Sequence, residues 1–422
     1  MLGLQEVLEA QIKELAAPKA VLLRILNRRF EQLGMPLTSP QQESIAEQIL
    51  ATTDGTINIE CENDQITAAG FSGPEEVEHL IHEVLDGIEG DIEEYVIDFE
   101  QHLPDTLQDA VKEIAPIILT SLKCRASELL VERRHERDSF RDSVAGTWCD
   151  ALDLLETHLA IALEGGEYVS RVSRSAAAQS NDLVFDVLTR LHARACQISS
   201  EILTLLENGF ADGAHARWRS LHEVTVVASF LRENGASLAE RYLLHNSIES
   251  YDAALQYRHY STRLNLEEMT DEEMHELSQV RDELIDRFGE DYKHEYGWAA
   301  EVIGKRRPTF ADIEQMVDLD YLRPYYKLAS YNVHANPKGV FAKLGILGSA
   351  EDLLLAGPSN IGLAEPGHLM ALSLAHITIC LLTHVPTMDT LVISRMLLDL
   401  VDEVGNAFGK AHDALMDNHK DA

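Results

Sequence analysis

Residues 214–232, AHARWRSLHEVTVVASFLR, constrain the fold more than any other stretch. Wound as a helix, they place Leu221, Val224, Val226, Val227, Phe230 and Leu231 almost all the way round,. Such a helix has to be wrapped by neighbouring elements. Its few polar side chains then sit where an unpaired charge is costly. The fold must therefore be large enough to bury a whole helix, and the polar stripe on that helix marks where to look for a site.

The neighbouring segments supply the wrapping. Helical periodicity runs through residues 183–207, 237–266 (Ser237 as cap) and 269–288. It also runs through a helix capped by Thr309, through 319–334 with Pro324 in its first turns, and through 367–385 and 388–415,. Upstream, LQEVLEAQIKELAAPKAVLL reads as an amphipathic helix broken or kinked at Pro18. SGPEEVEHLIHEVL starts a helix with Ser72 as cap, Pro74 in the first turn and Glu75 and Glu76 at the positive end,. From Pro104 to about Leu163 the period continues, interrupted only near Gly146.

One region looks strand-like. In residues 56–71 Ile57, Ile59 and Cys61 alternate, Asn63-Asp64 makes a turn, and Ile66 and Ala68 resume,. The expected class is mainly α, a multi-helix bundle with one short β-hairpin-like element. Gly165-Gly166 reads as a turn and RVSRSAAAQSND as a connection,. The expected division is an acidic, mainly helical region over 1–165 and a helical bundle domain over 175–422.

Composition narrows the function classes. The net charge of −36 excludes a general nucleic-acid-coating surface,. The charge is uneven: residues 51–100 carry 15 acids and no Lys or Arg. Residues 301–350 carry seven bases (Lys305, Arg306, Arg307, Arg323, Lys327, Lys338, Lys343) against five acids, so RNA or another anion is expected only there. Five scattered cysteines without a CxxC suggest neither a disulfide framework nor a zinc ribbon, and suit a reducing cytoplasm,. No basic n-region precedes an apolar h-region at the start,. Residues 367–388 lack charge, but their His, Ser, Thr and Pro residues point to a buried core helix rather than a membrane span,.

Familiar catalytic motifs fail. Five His-Glu dipeptides lack the second His of a zinc site, and GNAFGKA has the wrong spacing for a phosphate loop; neither GxGxxG nor GxSxG occurs,. No cofactor or metal is expected. Arg217/His222 and Arg287/His294 have R-x4-6-H spacing, but chance alone supplies about three such pairs in a chain of this composition. Residues i and i+5 also lie about 140° apart on a helix.

Helical geometry selects other groups. His215, Arg219 and His222 share one face, with Glu223 adjoining. Arg241, His245, Glu249 and Asp252 share a stripe on the next helix, and Arg323, Lys327, Ser330 and His334 share a third,. Arg219, Glu223, Arg241 and His334 are the candidate catalytic residues, and Arg323, Lys327, Ser330 and His245 the candidate ligand-binding ones. The plainer readings stand beside these. Arg219–Glu223 works as a buried i,i+4 ion pair, the Arg241 stripe as a solvated face, and His334 as a structural histidine.

The order GFADGAHARWRSLHE, LAERYLLH, YGWA, YYKLASYNVHANPKG resembles a bacterial family catalogued as domain of unknown function 5677. The shared elements are R-S-L-x-E (Arg219, Ser220, Leu221, Glu223), A-x-R-[YF] (Ala239 to Tyr242), Tyr-Gly-Trp (Tyr296–Trp298) and S-x-x-x-H (Ser330, His334). The resemblance covers about residues 180–415 and implies a helical fold without an established activity. In its pattern the position of His222 is not a fixed histidine, which argues against Arg217/His222 as a pair. A looser similarity to HEPN-like bundles implies a metal-independent ribonuclease or toxin-type effector in phage defence, with His334 moving protons and Arg323 or Lys327 holding phosphate charge. Two functions follow as expectations. The first is an interaction or regulatory module whose Arg/Glu/His network is structural and whose acidic N-terminal region engages a protein partner or a second copy. The second is that phosphodiester-cleaving effector.

Overall fold

A computed structural model describes residues 12–14, 16–34, 38–51, 57, 71–346 and 354–420,. The described residues are mainly α-helical, and they form two compact units, Met1–Leu130 and Val131–Ala422.

In the first unit, α1 (Pro18–Gln32) begins at Pro18. Proline suits a first helical position because its missing N–H would have no intrahelical partner there,. Leu22, Leu26 and Phe30 of α1 pack with Ile45 and Ala46 of α2 (Ser39–Ala51) and with Val77 and Val84 of α3 (Pro74–Cys124). Arg29 pairs with Asp91 and its hydrogen bonds hold that carboxyl below the usual range. The strand-like residues 56–71 lie outside the described residues except Ile57 and Phe71. Neither of these two is in a strand, and both pack on this small core.

The division between units falls inside α4 (Ala126–Ser180), earlier in the chain than the expected boundary. The second unit buries one core built by α4, α5 (Leu183–Glu207), α6 (Ala211–Leu264), α12 (Ala364–Leu382) and α13 (Met388–Lys420). Trp148, Leu188, Ile202, Trp218, Phe230, Leu374 and Phe408 lie at its centre. The helix α12 is long and apolar enough to cross a membrane, yet it packs against α5, α6 and α13, with Met370, Leu374 and Ile377 fully enclosed.

Three turn readings are corrected. Gly146, Gly165-Gly166 and residues 171–180 are all helical within α4; the chain turns instead at Asn181. The two adjacent glycines serve packing. A Cβ on Gly166 would lie 2.3 Å from His192 Cε1, and one on Gly165 would lie 3.2 Å from Ile393 Cγ2. Glycine is there to let two side chains approach the helix backbone, a need that local sequence does not announce.

The break expected between 232 and 237 is real. Gly235 takes φ 76° and ψ −163°, a left-handed conformation open to glycine, and bends α6 into two arms,. Between α6 and α12 run shorter elements. These are α7 (Asp271–Phe288), α8 (Ala300–Ile303), α9 (Phe310–Met316), α10 (Arg323–Val333) and α11 (Pro337–Phe341), with 3-10 turns at Glu290–Lys293 and Gly297–Ala299. Thr270 and Thr309 both close reciprocal caps, with Glu273 and Asp312 respectively,.

Candidate functional site

The polar stripe on α6 resolves into two clusters, one on each arm. On the first arm His215, Trp218 and His222 stack, with ring centroids 5.5 and 5.3 Å apart. His222 is fully buried and its Nε2–H donates to Glu314 Oε1 at 2.9 Å. Glu314 is equally buried, and its other oxygen takes a hydrogen bond from Arg323 of α10. A buried carboxylate is tolerable only when paired and hydrogen-bonded, and Arg323 and His222 together meet that requirement.

Tyr326 joins this group to the stripe. Its hydroxyl donates to Glu223 Oε1 at 2.6 Å and accepts from an Arg219 terminal nitrogen at 2.9 Å. Arg219 also pairs with Glu223 at 3.2 Å and lies 4.9 Å from the centroid of the Tyr326 ring,. Burial, then the hydrogen bond to Glu223, pushes the Tyr326 hydroxyl up to about 12, so it stays protonated and keeps donating. The Arg219–Glu223 pair expected from spacing is present, with Tyr326 as its third member. Buried Arg219 Nε keeps one open donor.

The second arm holds Arg241 and His245. Arg241 Nε–H donates to the Trp298 carbonyl at 3.1 Å, and a terminal nitrogen donates to Glu301 at 2.9 Å. Its guanidinium lies 4.8 Å from the Phe288 ring centroid and 5.3 Å from that of Tyr292. His245 Nε2 contacts the Tyr292 and His294 carbonyls at 3.1 and 3.0 Å, so that nitrogen carries the proton. Tyr292 returns a hydrogen bond from its hydroxyl to the Arg241 carbonyl at 2.6 Å. Together these bonds tie down the segment carrying Tyr-Gly-Trp. Gly297 is required there, because a Cβ would lie 2.3 Å from the Tyr292 carbonyl oxygen.

The two clusters use different partners. Arg219 and Arg241 are 22 residues apart, and the bend lies 16 residues beyond Arg219. Even a complete fold-back at Gly235 keeps their backbones about 15 Å apart,. His334 belongs to neither cluster. It is the exposed residue after α10, and its side chain bonds no described residue. Ser330 spends its hydroxyl on the Tyr326 carbonyl at 2.7 Å. Lys327 is exposed and meets no partner among the described residues.

The remaining bases of residues 301–350 are engaged. Lys305 pairs with Asp312, Arg306 with Asp291 and Lys343 with Asn332; Arg307 donates to His294, and Lys338 lies over Tyr331. The Arg217/His222 pair is splayed as helical geometry requires, and His294 lies beyond the helix that carries Arg287,. Arg217 binds Glu201 while His222 binds Glu314, and Arg287 binds Glu240.

Sequence reasoning missed Tyr326 and Glu314. For Glu314 a signal exists: Phe310, Ile313 and Val317 form an apolar face at helical spacing, and Glu314 sits on it,. For Tyr326 no comparable signal exists, since an aromatic on a half-buried helix is ordinary. Among the described residues no group of three or more His, Cys, Asp or Glu is arranged to hold a metal ion.

Neither a curated protein nor a solved structure matches the chain significantly. Residues 185–349 match the family of unknown function DUF5677, a span that contains α6, α10 and the Tyr-Gly-Trp turn and stops before α12 and α13. The part of the second unit that carries both polar clusters is similar to that family.

Proposed function

We propose that the chain is an interaction module whose acidic helix α3 docks a basic amphipathic helix of a partner protein. The carrying observation is an exposed apolar stripe along α3. Val96, Val111, Ile114, Ile118 and Leu122 are all exposed, with Leu103 and Leu107 half-buried between them. At helical spacing these seven side chains fall within about 120° of arc over about 39 Å of helix. An apolar face of that length, unpartnered among the described residues, is a binding surface rather than ordinary surface scatter.

Charge identifies the occupant. The helix α3 carries 14 Asp and Glu residues against Lys112 and Lys123. A second copy laid along it would oppose two strongly negative helices, whereas Lys and Arg flanking an apolar stripe would be attracted and steered. The two clusters on α6 support the non-catalytic reading. Arg219, Glu223 and Arg241 each bond within their own unit, and exposed His334 shares no cluster with any of them. The phosphodiester-cleaving alternative needs an Arg and a His converging on one phosphate.

A fluorescent designed helix with Leu at its core positions and Lys on its flanks tests the proposal. It should bind the full chain 1:1, more weakly as salt rises, and the double variant Ile114→Asp/Ile118→Asp should lose binding. Equal binding of a Glu-flanked version, or stripe-dependent dimerisation of the chain alone in sedimentation, would overturn it. So would growth arrest on expression that His334→Ala or Arg219→Ala relieves while both variants stay folded.

A further inference from the structure

Between the second arm of α6, the start of α5 and the Gly297–Ala299 turn lies a cleft of about 390 Å³. It is lined by Asp186, Arg190, Tyr242, His245, Glu249 and Trp298, with Leu243 and Asn246. The bonds that fix the Tyr-Gly-Trp segment use only one edge of His245. Its Nε2–H points at two carbonyls whose residues do not line the cleft. The opposite edge, Nδ1, is buried in a residue only 2 % exposed, and it has no hydrogen-bond partner among the described residues.

Glu249 Oε1 lies 3.5 Å from that nitrogen. With the imidazole neutral and its proton on Nε2, Nδ1 and the carboxylate are two acceptors side by side, and no described residue donates to Nδ1. Two acceptors in that relation are repulsive until a donor reaches both. Beside them Tyr242 and Trp298 meet edge to face, with centroids 5.0 Å apart, and form an aromatic corner. Arg190 is already neutralised by Asp186 at 3.0 Å, which leaves Glu249 as the uncompensated charge of the lining.

We propose that this cleft is a binding site for a protonated aliphatic amine, whose ammonium donates to His245 Nδ1 and Glu249 and packs on Tyr242 and Trp298. Each feature matches one part of such a ligand. The acceptor pair takes two N–H groups, the carboxylate balances the charge, and aromatic rings favour a partly desolvated cation. The cleft is large enough for a short diamine chain. The site lies in the second unit and is independent of the α3 proposal, which concerns the first.

Calorimetric titration of the full chain tests it, with 1,4-diaminobutane and spermidine as probes. Tetramethylammonium, which has no N–H, and inorganic phosphate serve as comparisons. The amines should bind 1:1. Glu249→Gln, at the exposed rim, should weaken them by about tenfold or more with the fold intact, and Tyr242→Leu should weaken them further. His245→Asn would also release the Tyr292 and His294 carbonyls, so the exposed Glu249 variant decides. In the wild type, the His245 side-chain 15N resonances should move on amine addition. Absence of amine binding, undiminished binding by Glu249→Gln, or equal affinity for tetramethylammonium or phosphate would overturn the assignment.

Discussion

The helices α12 and α3 are both rich in apolar residues, and the fold treats them in opposite ways. The helix α12 has an apolar surface nearly all round and is enclosed by α5, α6 and α13. The helix α3 leaves apolar residues open over residues 96–122, Ile97, Ile117 and Leu119 beside the stripe among them, and its carboxylates all lie at or before Glu113. Hydropathy alone ranks α12 as the helix seeking a membrane. On the proposed reading, the helix that seeks a partner is instead α3. The same contrast holds for polar groups: in the second unit Arg219, Glu314 and Arg241 find partners inside the fold, while the acids of α3 mostly face solvent.

Substitutions sharpen that contrast, and the largest effect belongs to the closed network. Arg323→Met leaves the buried Glu314 carboxylate with His222 alone and should cost about 3–5 kcal/mol in urea denaturation. A smaller loss would mean that Glu314 is not charged in the fold. In the core, Leu374→Ala should cost about 2–5 kcal/mol through lost contact and cavity formation. A near-neutral result there would break the claim that α12 is packed on all sides.

Acid should act on the second unit next. Burial pushes His158, His192 and His215 down to about 4, so each is neutral in the fold at pH 7. The unfolded chain takes up those protons as pH falls through about 6.5, whereas the fold resists until about 4,. Stability should therefore be flat above this window and decline within it, by up to about 1.4 kcal/mol per pH unit for each histidine. Replacing His158 by Leu should remove one such contribution. It should change stability at pH 7 by no more than about 1.5 kcal/mol, since the buried imidazole gives up at most its approach to the Leu397 backbone,. Urea midpoints measured from pH 7.5 to 4.5 check both statements. The smallest effect is expected on α3, where Ile118→Ala should change stability by no more than about 0.5 kcal/mol. A loss comparable to that of Leu374→Ala would show the stripe to be covered within the chain.

Much of the architecture is legible in the sequence. The Thr309 cap, the break at Pro18, the break between 232 and 237 and a buried helix beginning near residue 367 all follow from local rules that act within a few residues. The Arg219–Glu223 pair follows from i,i+4 spacing in the same way. What was not legible depends on distant contacts. Gly165 and Gly166 look like a turn because glycine usually marks one; here they admit His192 from the next helix and Ile393 from the last one. Tyr326 and Glu314 complete the first cluster from separate elements about a hundred residues after α6 begins, and no local pattern joins them. His334 was singled out by sharing a stripe with Arg323, but the helix ends one residue before it. Asymmetric charge pointed to residues 301–350 as an anion site, yet all its bases but Lys327 are engaged by neighbours.

Hydrogen exchange followed along the two helices tests the central claim most directly. In the free chain the amides of α12 should exchange only with global unfolding, while those of residues 96–122 exchange much faster. Adding the Lys-flanked helix should protect residues 96–122 and leave α12 unchanged. If residues 96–122 are already as protected as α12 without a partner, or gain no protection with one, α3 is not an open docking helix and the account fails.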